Sequence, residues 1–83
     1  MSSKNITYDH YFIGYADLNG RGEVIVEHYL AESQFDCIKQ CLQAHSIYVH
    51  PTVDTKNKLR VLAEHNNKLI SIPRKVKVKM TII

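Results

Sequence analysis

Tryptophan is absent, cysteine occurs only twice, and no apolar run approaches the ~20 residues that a membrane-spanning helix needs. Two cysteines cannot make the disulfide framework of a small secreted domain. Cys37 and Cys41 stand one helical turn apart, which suits a bridge between them poorly. Both are therefore expected as reduced thiols, in a cytoplasmic protein. The opening "MSSKNITYDHYF" lacks a basic stretch followed by an apolar one, so no signal peptide is expected. The "NIT" acceptor at Asn5 has meaning only in a secreted chain. Also missing are a phosphate-cradling glycine loop, HExxH, a nucleophile elbow and a paired-carboxylate signature.

These absences narrow the function classes. His10, His28, His45, His50 and His65 fall in five separate elements or turns, and no nucleophile accompanies them. No catalytic residue, and hence no enzyme, is expected. Cys37, Cys41 and His45 recur at i, i+4 and i+8, with His50 close by, and thiolate and imidazole are zinc ligand types. Yet both thiols lie on an apolar stripe, where cysteine acts as a small buried hydrophobe. No metal and no cofactor are expected.

What is present is ordinary globular composition: 45% hydrophobic and 23% charged residues in 83, enough for a single domain over 1–83 with a small core. "YFIGYADLNGRGEVIVEHYL" holds two strand-favouring runs around a turn at Asn19, Gly20 and Gly22. In the second run Val24, Val26, His28 and Leu30 share one face, and Glu23, Ile25, Glu27 and Tyr29 the other. Ser33 then caps "QFDCIKQCLQAH", with Asp36 placed as in a capping box. Phe35, Ile38, Cys41, Leu42 and His45 form one stripe of this helix.

The second half reads as strands: "SIYVHPTV", "KLRVLAE" and "LISIP", then "RKVKVKMTII". Pro73 either separates the last two or bends one kinked strand. The fold class expected is α+β: an antiparallel sheet of four to five strands, ordered β-β-α-β-β-β, with one helix packed on one face. Phe35, Ile38, Leu42, Val24, Val26, Val61, Val76 and Val78 are the expected core.

Lys75, Lys77 and Lys79 alternate with Val76, Val78 and Met80, which places three ammoniums in a line on one strand face at roughly 6.5–7 Å intervals. With Arg74 they could follow phosphates or dock on an acidic protein surface. Equally, they could only guard a sheet edge against pairing. Tyr11 and Tyr15, on the first strand, either line the core or join the lysines in a docking surface. The net charge of +3 permits nucleic-acid binding without demanding it, and the tyrosines are not interleaved with the lysines as a stacking platform would want.

"NNKLISIPRKVKVKM" resembles the C-terminal strands of small phage-encoded anti-CRISPR proteins of the type I-F inhibitor group. The resemblance rests on a strand, an Ile-Pro step and a basic strand ending in Val-Lys-Met. It implies a non-enzymatic phage inhibitor that binds a host CRISPR surveillance complex, a protein or ribonucleoprotein partner, in the host cytoplasm. It assigns no functional residue. The reading is thus a small interaction protein whose candidate partner-binding residues are Lys75, Lys77, Lys79, Arg74, Tyr11 and Tyr15. A small basic nucleic-acid-binding module using the lysine strand is the alternative.

Overall fold

A computed structural model describes residues 7–76. Six elements follow in order: β1 (Asp9–Asp17), β2 (Val24–Ala31), α1 (Gln34–Ala44), α2 (Lys56–His65), β3 (Lys68–Ile70) and β4 (Arg74–Val76). The fold is mixed α+β, an antiparallel sheet of four strands with two helices. The order differs from the expected one because "SIYVHPTV" is a loop and "KLRVLAE" is a helix.

β1 and β2 form the hairpin that the sequence suggested, in a register running from Asp9↔Ala31 to Ala16↔Val24. At the turn, Asp17 Oδ1 accepts from the Asn19 amide at 2.9 Å, and its carbonyl accepts from the Gly20 amide at 3.1 Å. The left-handed conformation falls on Gly22 (φ 74°), where a side chain would be strained.

On its other edge β1 pairs with β3 through Tyr15↔Ile70 and with β4 through Phe12↔Arg74. Between these pieces Ser71 holds the ladder together. Its amide donates to the Gly14 carbonyl at 2.9 Å, and its Oγ accepts from the Gly14 amide at 2.7 Å. β3 and β4 therefore run along β1 as one strand broken at Ile72 and Pro73, the kinked alternative of the sequence reading.

α1 begins as expected. Ser33 accepts from the Asp36 amide at 3.1 Å, and Asp36 Oδ2 accepts from the Glu32 amide at 3.1 Å. It ends with Ser46 in the left-handed region (φ 63°), the Ser46 amide bonding Gln43 O and the Ile47 amide bonding Leu42 O, a Schellman closure. The following residues were expected as a strand. Ile47 and Val49 are buried and Tyr48 is exposed, so the two-residue alternation holds. Among the described residues no strand lies alongside to pair with them, and the segment is a loop.

"KLRVLAE" belongs to α2, which corrects the strand expected there. Thr55 caps it by accepting from the Lys58 amide at 3.1 Å, and Asn67 (φ 58°) follows its end. Leu59 and Ala63 are buried and Leu62 half-buried, at helical spacing, whereas Val61 is exposed. Alternation at 59, 61 and 63 resembled a strand only because two of those positions also fall on one helix face.

Both helices cover the same side of the sheet. The core joins Tyr11, Ile13 and Tyr15 of β1 to Cys37, Ile38, Cys41 and Leu42 of α1 and Leu59 and Ala63 of α2. Gln34 ties the layers at one end, donating to Pro73 O at 3.0 Å and accepting from Lys56 Nζ at 2.7 Å. Of the expected core, Ile38 and Leu42 are buried, and Phe35 and Val76 are half-buried. Val24, Val26 and Val61 are exposed, and Val78 lies outside the described residues.

Leu42→Ala and Leu59→Ala should each cost about 2–5 kcal/mol in urea unfolding, because each leaves a cavity in a closed core. Val61→Ala should stay within about 0.5 kcal/mol, as exposed substitutions do. A large loss at Val61 would mean that residues 59–63 pack as a strand after all.

Candidate interaction surface

No helix among the described residues covers the second face of the sheet. The pairings Phe12↔His28, Gly14↔Val26, Ala16↔Val24 and Ala16↔Leu69 place these side chains together on that face. Phe12, Val24, Val26, Leu30 and Leu69 are all exposed there, and Ile72 is exposed beside them in the break between β3 and β4. Val24 and Val26 retain 68% and 66% of their surface.

The face has relief as well as apolarity. Gly14 lies at the floor of a shallow groove of about 330 Å³ between Val24 and Val26 on one side and Ser71, Ile72 and Arg74 on the other. A Cβ at Gly14 would come within 3.2 Å of Ser71 Oγ and 3.3 Å of Val24 Cγ1, so the absent side chain is what opens the groove. At its far end His10 and His28 stack with ring centroids 4.9 Å apart, Nδ1 of His10 lying 2.7 Å from Nε2 of His28. One ring must donate and the other accept. Phe12 leans on His28 at 5.2 Å.

The opposite face carries one polar cluster at its rim. Glu27 of β2 points beneath the C-terminal end of α1. Its carboxylate accepts from Tyr29 Oη at 2.7 Å and Cys41 Sγ at 3.4 Å, and His45 Nε2 lies 2.8 and 3.0 Å from its two oxygens. His45 in turn stacks on Tyr15 at 3.7 Å. Burial raises the Glu27 pKa, but the hydrogen bonds from Tyr29, His45 and Cys41 outweigh it and leave the group below its ordinary value. Burial, reinforced by the neighbouring carboxylate, pushes the Cys41 thiol up to about 12. Burial first and Asp36 second push Cys37 to about 11. Neither thiol is disposed to be a nucleophile.

The residues expected to bind a partner do not gather in one place. Tyr11 and Tyr15 are core residues, 6% and 5% exposed, beneath the helices and outside any docking surface. The core-lining alternative is the one that describes them. Arg74 is exposed and shares the open face, opposite Phe12. Lys75 pairs with Tyr11 and so has the helix-side parity; at the sheet rim it forms an ion pair with Asp9 at 3.3 Å. Val76, expected inward, has the parity of the open face. Lys77 and Lys79 lie outside the described residues.

Sequence reasoning missed the open face because it sent Val24 and Val26 inward as the more apolar set. The signal that could have found it is in β1. Tyr11, Ile13 and Tyr15 make the bulky inner row, while Phe12, Gly14 and Ala16 make a row too small to fill a core. Compared against protein families, curated proteins and solved structures, the chain matches none of them. No helix among the described residues is long and apolar enough to cross a membrane.

Glu27 also gives the acid response a direction. A carboxylate whose pKa is lowered by folding stabilises the fold above its unfolded value, near 4.5 for Glu, and that contribution is lost as pH falls through the folded value. Stability measured by urea unfolding should therefore decline below about pH 4.5. Glu27→Gln should flatten part of that decline, leaving the share due to Asp17 and Asp54, whose lysine partners also lower their values. An acid limb unchanged in Glu27→Gln would remove Glu27 from it.

Proposed function

We propose that the chain is a small, non-enzymatic interaction protein that docks the open face of its sheet on a partner protein. The observation that carries this reading is the contiguous apolar row Phe12, Val24, Val26 and Leu30, with Leu69 and Ile72, on a face that no helix among the described residues covers. Scattered exposed apolar residues are ordinary, but a contiguous patch with a groove is the usual mark of an interface.

The partner's chemistry follows from the rim. Arg74 lies on this face, and no acidic residue of β1 or β2 shares its parity. Two copies stacked face to face would enclose Arg74 without a carboxylate, and an unpaired buried charge is costly. A partner with an apolar patch bordered by acidic groups fits better. The nucleic-acid alternative draws less support, since Lys58, Lys68 and Lys75 are each already paired with an aspartate. The resemblance of "NNKLISIPRKVKVKM" to type I-F anti-CRISPR proteins makes a CRISPR surveillance complex the first partner to test, with the chain acting as a phage-borne inhibitor by occupying its surface.

The test mixes the purified chain with a purified type I-F surveillance complex and follows binding by interferometry and size-exclusion chromatography. A stable complex is expected. Val26→Lys should weaken it more than about tenfold, as a charge placed at a desolvated apolar contact would, with the circular dichroism spectrum unchanged. Joint Lys75→Glu, Lys77→Glu and Lys79→Glu should weaken it less. Loss in the lysine variant with full binding in Val26→Lys would overturn the open-face reading in favour of the lysine row. Failure to bind the complex would remove that partner. Steeply salt-dependent binding to random DNA would then favour the nucleic-acid module, and a dimer dissolved by Val26→Lys would favour self-association.

A further inference from the structure

The polar cluster under α1 has a composition that a hydrogen-bond network alone does not require. Glu27, Cys41 and His45 supply one carboxylate oxygen, one thiol sulfur and one imidazole nitrogen, all within 4.8 Å of one another. These are the three donor types that zinc takes from proteins. We propose that Glu27, Cys41 and His45 form a binding site for a borderline-soft divalent metal ion, zinc first among them, with a fourth position open to water.

The geometry supports this at each ligand. Cys41 stands in the last turn of α1 and His45, four residues on, is its C-cap, so the end of one helix presents both. Glu27 comes from the strand beneath. In a tetrahedral site the metal lies about 2.3 Å from sulfur and 2.0–2.2 Å from nitrogen and oxygen, which puts donor atoms roughly 3.2–3.7 Å apart. Here Glu27 Oε1 lies 3.4 Å from the Cys41 sulfur and 3.0 Å from His45 Nε2. Nitrogen and oxygen are drawn together by the hydrogen bond between them, and parting these two by roughly 0.5 Å, with sulfur and nitrogen starting within 4.8 Å of each other, admits the ion. Binding sends the Cys41 proton to solvent and removes the proton from His45 Nε2, to Nδ1 of a neutral ring or to solvent from an imidazolium, so Nε2 and the thiolate carry the lone pairs.

The surroundings suit a site with one open position. Cys41 is fully buried, which keeps the thiol from oxidants, whereas the His45 and Glu27 side chains are 25% and 23% exposed and give water access. Tyr29 Oη already donates to the Glu27 carboxylate and would hold it in place as an outer hydrogen-bond partner. Tyr15, stacked on His45, fixes the ring plane. Cys37, the other thiol of the helix, takes no part in the cluster. The ligand set therefore differs from the Cys37, Cys41 and His45 series that spacing alone offers.

The experiment is a Co²⁺ titration of the reduced, chelator-treated protein, followed by Zn²⁺ competition. The expected result is one Co²⁺ per chain, with the intense visible bands of a tetrahedral ion and a near-ultraviolet sulfur-to-cobalt charge-transfer band, both displaced by Zn²⁺. Cys37→Ser should retain both signals. Cys41→Ser should lose the charge-transfer band. Glu27→Gln and His45→Gln should weaken binding at least about tenfold, no less than the loss of an outer partner would. These two side chains are partly exposed, so they decide the question if Cys41→Ser fails to fold. Sub-stoichiometric binding, a spectrum without the sulfur band, or affinity unaffected in Glu27→Gln and His45→Gln would overturn the site.

Discussion

Among the described residues every other strand of this sheet pairs with β1, and β1 alone is hydrogen-bonded on both edges. Its parity therefore decides the environment of each strand residue in the molecule. Odd positions Tyr11, Ile13 and Tyr15 meet the helices; even positions Phe12, Gly14 and Ala16 face away from them. Because strand side chains alternate strictly, this single assignment propagates across each ladder. It places Glu27 and Tyr29 inward on β2, leaves Val24 and Val26 outward, and gives Lys75 the helix side and Val76 the open one. The two helices can cover only one face, and the small even row of β1 leaves a groove on the other.

What the sequence made legible is what local chemistry determines. The hairpin followed from its turn residues, and α1 from its serine cap, its apolar stripe and its length. The break at Pro73 was legible as a choice between two strands and one kinked strand. Missing was everything that depends on which partner lies alongside. The alternation Ile47, Tyr48, Val49 is real, but a strand needs a neighbour, and the described residues supply none there. Residues 59–63 offered both periods in so short a window that Thr55 and the asparagines at 66 and 67 were the better guide to a helix. The open face was hidden for a different reason: β2 is apolar on both sides, so hydrophobicity alone cannot orient it. Of the candidate site residues, only Arg74 was both described and found on the open face.

The ambiguity of β2 is also a problem for the folding chain, and Glu27 resolves it. Val24, Val26 and Leu30 on one face are hardly more apolar than Ile25 and Tyr29 on the other. Slipping the strand by one residue would thus exchange two comparable apolar rows at little hydrophobic cost. Such a slip would also carry Glu27, with Tyr29 beside it, to the open face, leaving Cys41 and His45 without their acceptor and removing two of the donors that hold the carboxylate ionised. Losing a charged, part-buried acceptor from these donors is far more costly than exchanging one apolar row for another. The polar cluster therefore acts as a register pin, the use of buried polar groups that is best attested. The same group of atoms that would take up a metal ion thus also keeps the apolar row of β2 facing outward. On this view the inner and outer chemistries of the sheet are coupled: the open face is a surface the protein can present reliably because a carboxylate is held beneath the opposite side.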